Sequence, residues 1–206
     1  MSLHYVTAGD PQHPAVVLLH GYPQTWYEWR HTIPALVDAG FYVIAPDMRG
    51  LGDSSRPLTG YDKATVAADI GEVLTAVLGL QTFAVIGHDW GGPVGFALTA
   101  ANLKRVTHFA LLDVVVPGGT VDTSQGGRRW HHAFHQTPDL PEFLTAGRER
   151  AYLTWFYREF SWKPDAIPED VIDEFVRCYA SPGGMRAGFS YYRAVALDAQ
   201  RNMELF

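Results

Sequence analysis

An apolar strand pattern, Gln81 to Ile86, runs through the hexapeptide GHDWGG at Gly87 to Gly92 and into a helical pattern, Pro93 to Ala101. A chain that passes from strand to helix in so few residues needs a sharp turn, and Asp89 stands at its apex. Gly87, Gly91 and Gly92 allow the close backbone packing and strained dihedrals that such a turn imposes. Asp89 then has two readings. It caps the following helix, as aspartate often does, or it is a nucleophile held anionic by the helix N-terminus and needing no base to activate it.

The rest of the first half repeats the alternation. Leu3 to Ala8, Ala15 to His20, Phe41 to Pro46, Phe83 to Gly87 and Val106 to Asp113 read as strands. Trp26 to Val37, Lys63 to Leu78 and Gly92 to Ala101 read as the helices between them. This order predicts an α/β fold, a mostly parallel sheet with helices on both faces, and active residues at strand C-termini. After Pro117 the segment GGTVDTSQGG reads as flexible, and Arg128 to Phe206 is rich in helix patterns and aromatic residues, a second unit.

A carboxylate that attacks carbon forms an alkyl ester, so an Asp89 nucleophile fits electrophilic sp3 carbons such as epoxides or carbon–halogen centres. Partners of other classes are disfavoured. A net charge of −6 and a pI near 5.8, without a run of Lys or Arg, argue against nucleic acid and anionic membranes. No apolar run is long enough to span a bilayer, and the N-terminus MSLHYVTAGD lacks a signal pattern, so the cytoplasm is the expected compartment. Cys178, the single cysteine, excludes an internal disulfide and reads as a core thiol. No CxxC or HExxH spacing offers a metal site, and no cofactor is implied.

Four motifs stand in order along the chain: HGYP at His20 to Pro23, DMRGLGDSS at Asp47 to Ser55, GHDWGG, and LLDVVVP at Leu111 to Pro117. Together they resemble the α/β-hydrolase-fold epoxide hydrolases and dehalogenases, over nearly the whole chain. The resemblance implies an α/β-hydrolase fold in which residues 1–117 form the N-terminal part of the core. Residues 118–206 would then be the helical cap, or lid, over the nucleophile. HGYP would be the oxyanion loop, with the backbone N–H groups of Tyr22 and Trp90 directed at Asp89 and His20 structural beneath it. Arg49 and Asp53 are expected to form an ion pair that shapes their loop. Asp113, at the end of an apolar strand, matches the triad acid that orients the catalytic histidine in part of the family, with a turn-capping aspartate as the plain alternative.

WHHAFHQTPDLPEFLTAGRER at Trp130 to Arg150 and SYYRA at Ser190 to Ala194 resemble cap segments of bacterial epoxide hydrolases. By that resemblance His131 and Tyr192 are the pair that receives the epoxide oxygen as the ring opens. His132 and His135 compete with His131, and Tyr191 competes with Tyr192. Dehalogenation by the same aspartate is the nearest rival, since Trp90 suits either branch. The positions at which some dehalogenases carry arginine for a carboxylate substrate hold Trp90 and Pro93, which favours a small neutral epoxide or haloalkane.

The family usually continues past the cap through two more strands, the second followed by the histidine that activates water, whereas this sequence ends at Phe206. His4, His13, His20, His31, His88, His108, His131, His132 and His135 all precede that point, and none fits the role. LHYVTAG, at the start, resembles the family's second strand. The expectation is that the C-terminal strands are missing and that an unpaired sheet edge invites self-association. A truncated gene product, a partial chain and a chain completed by a partner would each produce this pattern. The sequence therefore points to epoxide opening through an ester on Asp89, with dehalogenation and an inactive fragment or association module as alternatives. Substrate identity, stereochemistry and oligomeric state stay open.

Overall fold

A computed structural model describes residues 1–118 and 127–205. The sheet has the order β1-β3-β2-β4-β5, from β1 (Tyr5–Ala8), β2 (Ala15–Leu19), β3 (Tyr42–Pro46), β4 (Phe83–His88) and β5 (Val106–Leu112). Only β1 is antiparallel, to β3; β2, β4 and β5 run parallel to their neighbours. Each strand lies within a residue or two of its expected span. β2 reads AVVLL and is buried at every position, the continuous apolar run of a strand covered on both faces.

Alternation along that strand serves two cores. Val16 and Leu18 join Val43 and Ala45 against Ile33, Leu36 and Val37 of α1 (Thr32–Asp38). Val17 and Leu19 face the other way, with Ile44, onto Val66 and Ile70 of α2 (Lys63–Glu72) and Val94 and Leu98 of α3 (Gly91–Ala101). Helices therefore cover both faces, as the pattern predicted. Two expected helices are more irregular than their periodicity implied. A 3-10 segment, Trp26–His31, precedes α1, and α2 passes into a π-helical turn at Val73–Val77 instead of running evenly to Leu78.

The second half is helical: α4 (Trp130–Gln136), α5 (Leu140–Thr145), α6 (Glu149–Glu159), α7 (Glu169–Tyr179), α8 (Gly184–Arg193) and α9 (Val195–Met203). α7 shows why. Val171, Ile172, Phe175, Cys178 and Tyr179 make one buried stripe, and Glu169 and Asp170 occupy the first turn, where the helix dipole favours anions. Cys178 is buried, as expected of a core thiol. Of the segment read as flexible, 118–127, residues 119–126 lie outside the described residues.

These helices are fastened over the C-terminal ends of the strands by hydrogen bonds to loop carbonyls. Tyr157 donates to Pro23, Tyr179 to Gln24 at 3.0 Å, and Tyr191 to Arg49 at 2.8 Å. The Arg49 to Asp53 loop corrects one expectation. Arg49 pairs with Asp69 of α2 at 2.6 Å, and Asp53 pairs with Arg177 of α7 at 2.9 Å. Positive φ at Gly50 and Gly52, 77° and 54°, turns the loop between them, so the two side chains meet different neighbours. At the opposite margin of the sheet, β5 leaves Leu111 and Leu112 about two-fifths exposed, at 40% and 41%.

Candidate active site

Parallel registry brings three strand ends to one edge. Leu19 of β2 pairs with Gly87 of β4, and His88 pairs with Leu112 of β5, so the HGYP loop, Asp89 and Asp113 emerge side by side. Asp89 adopts a left-handed conformation, φ 46°, in which a non-glycine residue is uncommon. The turn holds it there. Its N–H donates to the Leu112 carbonyl at 3.2 Å, and its own carbonyl accepts from Gly92 at 2.8 Å. A Cβ on Gly91 would lie 2.1 Å from the Leu19 carbonyl oxygen, and one on Gly87 would lie 2.3 Å from that of Gly91, so the backbone crossing has no room for side chains.

Tyr22 donates its backbone N–H to Asp89 Oδ1 at 2.8 Å. The Trp90 N–H acts on the same carboxylate. Burial nevertheless dominates and pushes Asp89 above the usual carboxylate range, against the pull of those two N–H groups, His88 and Arg129. Desolvation thus works against the stabilisation that the helix N-terminus gives the anion. Asp113 also has positive φ, 54°, and is exposed at the end of β5.

A cavity of about 590 Å³ opens above the turn, lined by Tyr22, Asp89, Trp90, Asp113, His131 and Tyr192 among others. The structure thus brings all six sequence-predicted site residues to one space. The rings of His131 and Tyr192 are 5.8 Å apart, and Tyr192 stands edge-on to Trp90 at 4.9 Å and to Tyr22 at 5.5 Å. Burial, with the charges of His132 and Arg129, pushes the His131 imidazole down to about 3, so it is neutral at neutral pH. Tyr192 is pushed well above the ordinary phenol value, by burial first and then by the Asp89 charge. Of the competitors, His135 hydrogen-bonds the Tyr152 hydroxyl at 2.6 Å, and Tyr191 is spent on the Arg49 carbonyl. His132 lines the cavity too, 5.2 Å from the Tyr192 ring.

Sequence reasoning missed three features here. His88 lines the cavity and meets the buried Glu28 at 3.2 Å. Burial opposes its charge, but Glu28, with Asp89 and Asp113, lifts it to about 9. Arg129 enters the cavity wall, and Lys63 lies over the Trp90 ring, 4.2 Å from its centroid. Arg129 and Lys63 belong to no recognisable motif; His88 lies within GHDWGG and Glu28 in the 3-10 segment, but nothing local links the two. His20 is structural, as expected, and accepts the Met48 N–H at 3.1 Å. His4, Asp47 and Asp53 approach within 4.8 Å of one another, but Asp47 is taken by the N–H groups of Trp26 and Asp53, and the Asp53 carboxylate by Arg177. Among the described residues, no helix is long and apolar enough to cross a membrane.

Comparison with known proteins agrees with this geometry. The family described as alpha/beta hydrolase fold matches residues 14–161. A soluble epoxide hydrolase of Corynebacterium sp. (strain C12) is 41% identical over 98% of this chain and 71% of its own length. Epoxide hydrolase A of Mycobacterium tuberculosis is 43% identical over 61% of this chain and 40% of its own. The crystal structure of Cfl2 from Burkholderia cenocepacia superposes with a TM-score of 0.92 at 40% identity, covering 98% of this chain and 70% of that one. The chain is an epoxide-hydrolase-like enzyme of the hydrolase type and belongs to the α/β-hydrolase-fold family.

Proposed function

We propose that this chain opens small epoxides by alkylation of Asp89. The observation that carries the reading is that Asp89, His131 and Tyr192 line one cavity. An Asp89 oxygen attacks a ring carbon, the carbon–oxygen bond breaks, and the departing oxygen takes up the negative charge as an alkoxide. Tyr192 gives it the proton, because an alkoxide is a stronger base than even a phenolate disfavoured by burial. His131, being neutral, serves as a hydrogen-bond donor and not as an acid.

Water, giving its proton to a base, then attacks the ester carbonyl, and the N–H groups of Tyr22 and Trp90 stabilise the oxyanion, a contribution of about 3 kcal/mol per donor. Its collapse breaks the acyl carbon–oxygen bond, releases the diol with the proton returned to it, and restores the Asp89 carboxylate. Asp113 would hold the imidazole that activates this water. Among the described residues, no histidine is hydrogen-bonded to Asp113, and His88 carries a proton near neutral pH, so these residues favour the first step over the second. Residues 118–206 form the cap in this scheme, with 1–117 as the core.

The test is an intact-mass time course with a small aryl epoxide. A single adduct, absent from Asp89→Asn and slowed in Tyr192→Phe, is expected. Diol release without detectable adduct would mean that a base is supplied after all. Adduct from a haloalkane but not from an epoxide would favour dehalogenation, and no adduct from either, in folded protein, would sink the alkylation reading.

A further inference from the structure

The electrostatic centre outside the motifs is a buried cation at the junction of sheet and helical unit. Lys63 opens α2, and its side chain is only 3% exposed. Its ammonium lies 2.8 Å from Asp198 Oδ2 of α9, donates to the Tyr191 carbonyl of α8 and sits 4.2 Å from the Trp90 ring centroid. Its backbone N–H donates to Asp198 Oδ1 at 2.8 Å. Beside it, Arg201 of α9 pairs with Asp62, the N-cap of α2. One side chain is thus bound at once to the residue after the nucleophile and to the residue before the proton donor.

We propose that Lys63 is a positioning residue that fixes Trp90 and Tyr192 relative to each other, and with them the distance across which the epoxide must fit. The consequence for rate rests on the alkylation reading above; the placement of Trp90 does not. A cation over an indole face that is also held by a carboxylate in a desolvated site resists displacement, since moving it abandons both interactions. A buried ion pair has a plain structural reading as well, so the test separates stability from placement.

Lys63→Met leaves Asp198 charged and unpaired and is expected to lower Tm by about 10 °C. The double variant Lys63→Met/Asp198→Asn removes that penalty, keeps an acceptor for the Lys63 N–H, and should recover most of Tm. Placement is read from protein containing fluorotryptophan, in which Trp90→Phe assigns one of the six resonances. Its shift between light and heavy water should be near zero for an indole 4% exposed, and should grow in both variants. Alkylation at saturating aryl epoxide is expected to slow about 10- to 100-fold in both, with little change in the half-saturating concentration.

A double variant that regains Tm, a shielded Trp90 and wild-type alkylation would overturn the proposal and leave a purely stabilising pair. If the wild-type protein forms no adduct, the alkylation reading fails by itself. A solvent-exposed Trp90 in the variants would still support Lys63 as its anchor, and a shielded one would refute that.

Discussion

Gly21→Ala tests how closely the HGYP loop must approach Asp89. Gly21 has no left-handed φ, so its backbone accepts alanine; only space forbids it. A Cβ there would lie 2.4 Å from Asp89 Cβ and Oδ1 and 2.8 Å from Cγ. That is about 1 Å short of an ordinary contact, and loop or carboxylate must shift by that much. Tyr22 is the next residue, so the shift carries its 2.8 Å bond to Asp89 out of hydrogen-bonding range.

Overpacking of this kind costs about 1–3 kcal/mol, or about 2–12 °C in Tm for a chain of this size. A nucleophile displaced by about 1 Å loses up to about 100-fold in rate. The assay is the alkylation rate constant by intact mass beside thermal unfolding. Gly71→Ala, in α2 with 3.5 Å to its nearest neighbour, is the control, expected to alkylate normally with Tm unchanged or slightly raised. Gly21→Ala that alkylates within about threefold of wild type would refute the reasoning, because a smaller loss than a 1 Å displacement implies means the loop absorbs the methyl.

Two further predictions concern charge. Because burial raises Asp89 above its ordinary value of 3.8, alkylation should fade as pH drops through a midpoint above 3.8, and Asp89→Asn should be more stable than wild type at pH 7. The sign follows from the raised folded value: the carboxyl favours folding below its unfolded value and loses that contribution as pH rises through the folded one. The Asp89→Asn advantage should therefore vanish in acid, and thermal melts at pH 7 and at about pH 4 check it. His88, lifted to about 9 from 6.5, contributes stability that is complete below 6.5 and lost as pH rises towards 9. Glu28→Gln should bring its NMR titration midpoint down by more than one unit and flatten that loss; an unmoved midpoint would remove Glu28 as the cause.

The strands were legible because each is a short apolar run bounded by turn residues, and β2 to β5 end close to where their patterns stop. The convergence of the HGYP loop, Asp89 and Asp113 was legible in the same way, since strand-end residues meet when strands run parallel, whereas His131 and Tyr192, on helices, were named only through the resemblance. Partners far apart along the chain were not legible. Lys63 and Asp198 are separated by 135 positions and Glu28 and His88 by 60, and no local pattern links them. Arg49 was assigned to Asp53 of its own loop, although it reaches Asp69 of α2. The upward pull of burial on Asp89 is not legible either, because a helix terminus is visible in sequence and desolvation is not.

Tyr22 joins these scales within one residue. Its N–H holds Asp89, while its ring is packed among His135, Phe156, Tyr179, Phe189 and Tyr192, and a Cβ on Gly188 would come 2.8 Å from its Cε2. Substitutions in the helices that reshape the cavity therefore also press on the residue whose N–H holds the carboxylate. Specificity and reactivity cannot drift independently in such a molecule. Altering the one without the other calls for changes at cavity-wall positions outside the rings that pack on Tyr22.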